Sequence, residues 1–463
     1  MGIAELTSAD WAQRELEGVQ LGDRRLNRRG VKVLAALGRV PSGTLPGAFG
    51  TAGELNAAYR LCSREAVSFE ALTEPHVQRT RGKCRRRGEY LIIGDTTELN
   101  FTREEEIEGL GWTGNPDQRG FLLHSGLAVR VEGWLKDQTP ICNVVGLSGL
   151  KLWSRKHPPR KGRERRAQRQ ARERESQKWG LSVEEMGRPG RGVRWTRVED
   201  READIAAHIL DCQEQGHDYI IRAAQRRVLE EGSQDLFGAV RAVPRQGRFS
   251  LSLRARPGQA AREAQLEVRA TTVTLRPPRR EGKKLPPLKT QVVEVLERRP
   301  PPGVAPLHWV LLTSWRCDNL RQSLKVAKGY GARYLVEEYH KALKSGTQVE
   351  SSQLTTASRL SALVGLQVLV AVRLLGLKLL CRARPNEPAE EGLLTAEMWE
   401  ALAKKFGKPG GGWTWRSTLV GIARLGGFLA RKSDGDPGWQ TIWRGWQRLT
   451  SLAEGIRLAH DTS

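Results

Sequence analysis

The sequence predicts an α/β protein in which a central sheet is bracketed by helical segments. Three observations carry that expectation. Between residues 89 and 146 the apolar residues fall into three runs rich in Val, Ile and Leu, which read as consecutive strands of an antiparallel meander. Val193–Val198, an acidic cluster, a helical stretch and Tyr219-Ile-Ile-Arg222 then read as β-α-β, with Asp200 at the first strand's C-terminal edge. Residues 1–75 and the last hundred carry helical periodicity instead.

Taken in order, Ser8-Ala-Asp10-Trp11 has the character of a helix start, and Leu21-Gly-Asp23-Arg24 opens a second helix. Arg24, Arg25, Arg28 and Arg29 cluster on its first turns. A helix this basic suits a DNA groove, its plainer alternative being a solvated basic face. Pro41 to Pro46 is a turn cluster, and Arg79 to Arg87 reads as a basic connector. The first strand, from Glu89, reaches Gly94-Asp95-Thr96-Thr97; Phe121–Val129 and Pro140–Gly146 supply the next two. Arg155 to Arg174 is dominated by Arg and Lys and reads as a surface segment. From about 228 to 305, Phe249–Leu253, Gln265–Leu275 and Gln291–Leu296 alternate with proline pairs and read as an inserted β subdomain. The strand His308–Thr313 leads to a helix at Tyr330–Lys344. Leu360–Leu380 is apolar, but Gln367, Arg373 and Lys378 interrupt it, so a buried core helix is expected rather than a membrane span. Trp399, Trp413, Trp415, Trp439, Trp443 and Trp446 suit a small core or a protein–protein surface. The expected division is 1–75, 76–357 and 358–463.

Composition narrows the partners. Lys and Arg number 76 against 52 Asp and Glu, a net charge of +24 over 463 residues, which points to nucleic acid more than to an anionic membrane. The six cysteines are scattered with no C-x-x-C, and Met1–Trp11 has no secretory pattern, so a reduced cytoplasm is expected. The eight histidines form no H-x-x-x-H pair. A metal would therefore rest mainly on carboxylates, which favours magnesium or manganese.

The stretch Tyr330 to Lys344 concentrates the chemistry. On one helix Tyr330, Arg333, Glu337 and Lys344 share a stripe roughly 60° wide, with Lys341 beside it. The carboxylate suits a metal ion and the cations suit phosphates. Asp95, Asp200 and Glu337 follow the order in which an RNase-H-like fold assembles a metal site. Three such acids repel one another, and two divalent cations roughly 3.5–4 Å apart relieve the repulsion while serving phosphodiester chemistry.

With these residues in view, the chain resembles bacterial cut-and-paste DDE transposases of the insertion-sequence-four family. Their Y-(2)-R-(3)-E-(6)-K signature is kept in Tyr330, Arg333, Glu337 and Lys344. Gly94-Asp95-Thr96-Thr97 resembles the first-acid strand and Asp200-Arg-Glu-Ala-Asp-Ile205 the second-acid block. Leu-Gly-Asp-Arg near 21 and Ala-Tyr-Arg near 58 resemble the end-binding domain. Gly426-Gly-Phe428, Pro437-Gly and Trp443-Arg-Gly-Trp446 resemble the C-terminal domain. Tyr334 and Val336 depart mildly, standing where the family often has Trp and Ile.

The resemblance implies an RNase-H-like catalytic core with an inserted β subdomain, an all-α N-terminal DNA-binding domain and an α-helical C-terminal dimerisation domain. It makes Asp95, Asp200 and Glu337 the ligands of two Mg2+ ions, with Mn2+ able to substitute. Tyr330, Arg333, Lys341 and Lys344 would hold the phosphate of a flipped base and the end backbone, and Arg222 another phosphate. Trp309 would stack in an end hairpin, with ordinary strand packing as its alternative. The implied partners are double-stranded DNA, as inverted-repeat ends and target, and a second copy in a synaptic complex. The implied location is cytoplasmic and nucleoid-associated. The competing readings are a structure-selective nuclease, a catalytically silent DNA-binding relative, and a basic structural or ribosome-associated protein.

Overall fold

Five helices open the chain: α1 (Ser8–Glu15), α2 (Arg24–Arg39), α3 (Leu45–Ala48), α4 (Ala52–Cys62) and α5 (Phe69–Cys84). The structure is a computed structural model that describes every residue except 1–6, 41–43, 158–174, 231–233, 254–259, 277–278, 281–282, 285, 390–392, 432–433 and 462–463. Asp23 caps α2, accepting from the N–H groups of Arg25 (2.7 Å) and Leu26 (2.8 Å), which satisfies two otherwise orphaned donors. Val33, Leu34 and Leu37 bury one face of α2, and Trp11 of α1 packs so closely that a Cβ on Gly38 would meet its ring at 2.7 Å. Arg79 to Cys84 is not a connector but the end of α5. Arg79 reaches back to Glu15, and the Arg81 Nε donates to the Ser148 carbonyl at 2.7 Å, so tertiary partners extend the helix past the expected boundary.

β1 (Gly88–Asn100), β2 (Gly120–Trp134) and β3 (Pro140–Trp153) form the expected antiparallel meander. Leu91, Ile92 and Ile93 of β1 are all fully buried, because both faces are covered; that is why they read as an unbroken apolar run. After α6 (Gln177–Met186), β4 (Val193–Glu199) pairs parallel with β1. The helix α7 (Ala206–Gln215) then leads to β5 (Asp218–Arg222), parallel to β4.

The stretch expected as an inserted β subdomain is rich in strands, and these lengthen this sheet. α8 (Leu236–Ala242), β6 (Gly247–Leu253), β7 (Arg262–Leu275), a short ribbon β8–β9 (Arg279–Arg280, Lys283–Lys284) and β10 (Leu288–Glu297) precede β11 (His308–Thr313). β11 is antiparallel to both β5 and β10, so one nine-stranded sheet runs β3-β2-β1-β4-β5-β11-β10-β7-β6. Pairing through β11 covers the β5 and β10 edges that a detached β unit would leave open. Val268, Val293 and Val295 also belong to the same core as Ile93.

The single helix expected at 330–344 is broken. α9 (Leu320–Gly331) ends just before Arg333, whose N–H bonds to the Tyr330 carbonyl (2.9 Å) in a tightened turn. α10 (Tyr334–Lys341) is followed by a π turn at Ala342–Gly346. The C-terminal part is helical: α11 (Ala357–Ala383), α12 (Ala396–Phe406), α13 (Trp415–Leu425) and α14 (Trp439–Asp461). The apolar window of α11 is 89% buried within the fold. Trp415, Trp439, Trp443 and Trp446 are core residues. The end of α13 touches α14 backbone to backbone, where a Cβ on Gly445 would fall 1.7 Å from the Ile422 carbonyl oxygen. The basic run Arg155–Arg174 lies mostly outside the described residues.

Candidate active site

Strand register brings the first two acids together. Ile93 of β1 aligns with Val198 of β4; the same register, two residues on, sets Asp95 beside Asp200 at the C-terminal edge of the parallel strands. Gly94 makes that placement possible, because a Cβ there would fall 2.7 Å from the buried Trp179 ring. Asp200 leaves the strand as the cap of a short turn, accepting from the Glu202 N–H at 2.9 Å.

α10 packs across this edge and delivers Arg333 and Glu337. The Arg333 Nη1 lies 3.4 Å from the Asp95 Oδ2, and its Nη2 bonds to the Glu337 carboxylate. Burial pushes the Asp95 carboxyl up from 3.8 to about 6; Arg333 opposes the rise, and Asp200 and Glu337 add to it. Burial works against the Arg333 charge, but Asp95, Tyr330, Glu337 and Asp200 outweigh it and push the guanidinium up. The three acids therefore share one electrostatic field with Arg333 in their midst. His340, one turn beyond Glu337, sits with its Nδ1 3.7 Å from the Asp95 Oδ2, and burial with Lys344 and Arg333 holds its imidazole down at about 3, hence neutral.

A second group adjoins the first. Arg222 donates to the His308 carbonyl (2.9 Å) and hydrogen-bonds Tyr330, whose hydroxyl is pushed up by burial against the pull of Arg333 and Arg222. The Trp309 ring stands edge-on to Tyr330, centroids 5.7 Å apart. The structure thus gathers Asp95, Asp200, Glu337, Arg333, Tyr330, Arg222 and Trp309. Lys344 lies 4.0 Å from Glu350, near the far end of β1. Lys341 is exposed and pairs with Glu338 (3.4 Å) on the flank facing the C-terminal helices. Arg24, Arg25 and Arg28 are exposed on α2, with Arg29 half-buried.

Among the described residues no three His, Cys, Asp or Glu side chains are already posed around a common point for a metal. Arg333 supplies the countercharge instead. The donor set nonetheless fits a hard divalent cation: three carboxylates, with Asp95 raised by burial and further by Asp200 and Glu337, a repulsion that a cation would relieve.

Sequence reading passed over His340 and Glu338. The doubled acid Glu337-Glu338 was the available hint, since adjacent helical residues point about 100° apart and cannot share one task.

Comparison with known families bears on the class of protein that carries this cluster. Residues 8–67 match the transposase DNA-binding family model. Residues 369–463 match the Tn5 transposase dimerisation domain. The two matches support a transposase of the Tn5 type, with DNA as partner of the N-terminal helices and pairing of two chains through the C-terminal ones.

Proposed function

We propose that the protein is a DDE transposase of the insertion-sequence-four family that excises an element at its inverted repeats and joins the 3′-OH ends to target DNA. The observation that carries this is the convergence of Asp95, Asp200 and Glu337 on Arg333. The meander followed by two parallel strands, in the order β3-β2-β1-β4-β5, supports an RNase-H-like core beneath them.

In this reading Asp95, Asp200 and Glu337 hold two Mg2+ ions, for which Mn2+ substitutes. When bound, such ions activate water and stabilise the leaving oxygen of a phosphodiester. Arg333 swings from the carboxylates to a phosphate, exchanging one charge-assisted bond for another. Arg222 and Tyr330 orient the strand beside the reacting phosphate, and Lys344 and Lys341 grip the backbone further out. Trp309, already edge-on to an aromatic ring, offers a face for an unstacked base. A nick leaves a 3′-OH, whose attack on the opposite strand closes a hairpin that is reopened before strand transfer. The same acids serve each step because each is an in-line displacement at phosphorus.

The test is Glu337→Ala on duplexes bearing the inverted repeats that flank the gene. Magnesium-dependent cleavage and plasmid strand transfer are expected to vanish while end binding persists. Cleavage by the wild type that needs no divalent ion, or that never proceeds to joining, would count against the proposal.

A further inference from the structure

Glu338, the neighbour of the third acid, faces away from the site. Its carboxylate receives the Lys378 Nζ from α11 at 2.6 Å, the Trp439 indole N–H from the start of α14 at 3.0 Å, and the Lys341 Nζ at 3.4 Å. The Lys378 ammonium also lies 4.4 Å from the centre of the Trp439 ring. Lys378 and Trp439 are both buried. Three donors from three helices thus meet on one carboxylate.

The helix that carries it is short: Leu335, Val336 and Tyr339 bury its apolar face, and its polar flanks must fix its register. α10 is eight residues long, with a tightened turn before it and a π turn after it. So short a helix has no intrinsic stability, and what its side chains grip sets its position. Glu337 and Glu338 are successive residues, so α10 is held between Arg333 and Asp95 on one side and Lys378 and Trp439 on the other. Removing one partner of a buried charge pair leaves the other uncompensated, so the anchor resists sliding. Lys378 and Trp439 both fall within residues 369–463, the segment matched to a dimerisation domain.

We infer that Glu338 is a positioning residue that fixes the catalytic acid Glu337 to the dimerisation segment through Lys378 and Trp439, so that the seat of α14 sets the aim of the active site. The inference rests on the transposase reading for its consequence in catalysis but not for the anchor itself. It assigns Glu338 no contact with DNA or metal.

The experiment uses the full chain with Glu338→Gln, Trp439→Phe and their combination. Trp439→Phe keeps an aromatic ring beside Lys378 but removes the N–H donor along with part of the indole's volume, so it tests the bond even if Glu338→Gln fails to fold. Hydrogen exchange of the amides of 334–341 is expected to quicken about tenfold, the effect of losing roughly 1.4 kcal/mol of local protection. Single-turnover cleavage is expected to fall about tenfold or more while end binding stays within about twofold, since the loss is confined to the reacting complex. The double variant is expected to be little worse than Glu338→Gln alone, because both changes break one unit. Wild-type exchange rates over 334–341 in Trp439→Phe would overturn the inference. So would equal losses in binding and cleavage, which is what general loosening produces. A wild-type chain that does not cut DNA would sink the transposase reading and leave the exchange result to judge the anchor.

Discussion

Replacing Asp95 with Asn is expected to stabilise the metal-free protein at neutral pH while abolishing cleavage. The magnitude comes from the carboxyl's surroundings. Burial, with Asp200 and Glu337 adding to it and Arg333 opposing, raises its value from 3.8 to about 6. A folded-state value above the unfolded one means that the native chain holds the proton more tightly, so ionising Asp95 works against the fold. The penalty is absent below pH 3.8 and complete above about pH 6. At about 1.4 kcal/mol per pH unit between the two values, it comes to roughly 3 kcal/mol. Asn avoids this cost, and because the attraction to Arg333 is already contained in the shift, the expected net gain is about 3 kcal/mol. Urea unfolding in chelator at pH 4 and pH 8 reads it directly. The two proteins should match at pH 4 and diverge at pH 8 in favour of Asn. Magnesium should then raise the wild type selectively, since a ligand bound only by the native state adds stability. A wild type as stable as the variant at pH 8 without metal would refute the reasoning.

Other outcomes follow from features on the same page. Gly94→Ala drives a Cβ towards the Trp179 ring at 2.7 Å; a loss of about 1–3 kcal/mol is expected in denaturation, with a steeper loss of cleavage because Asp95 is the next residue. Changing Arg24, Arg25 and Arg28 together to Gln is expected to flatten the plot of log affinity against log salt by about 0.9 for each phosphate contact removed. An unchanged slope in filter binding would take α2 off the DNA. Burial works against the Glu15 charge, but His76, Arg79 and Lys83 outweigh it and hold the carboxyl below its ordinary 4.5. Its stabilising share is therefore intact above pH 4.5 and fades as acid takes the pH through the depressed value. Glu15→Gln should remove that acid-sensitive share and cost about 3 kcal/mol at pH 7, read by chemical denaturation.

Much of this architecture was legible in local pattern. The meander, the β4–α7–β5 unit and β11 announced themselves because buried strands concentrate Val, Ile and Leu between polar turns. Asp95 and Asp200 stood out because each closes such a run. What stayed hidden depended on distant partners. Nothing in Phe249–Leu253 or Gln291–Leu296 says that β11 will stitch those strands to β5, and nothing in Arg79–Arg87 says that Glu15 will draw Arg79 into a helix. The break between α9 and α10 was hidden too, since Gly331 alone does not distinguish a helix end from a tolerated glycine. That break redirects Tyr330 towards Arg222 and Trp309 instead of leaving it in line with Glu337.

The unbroken nine-stranded sheet has a geometric corollary for any long ligand. Neighbouring strands rotate by about 20–25° in a constant sense, so eight successive steps amount to roughly half a turn. The strands at the β3 end and at the β6 end therefore differ in direction by about that angle. A long ligand aligned with the strands at one end of the sheet thus crosses strands of steadily changing direction on its way to the other.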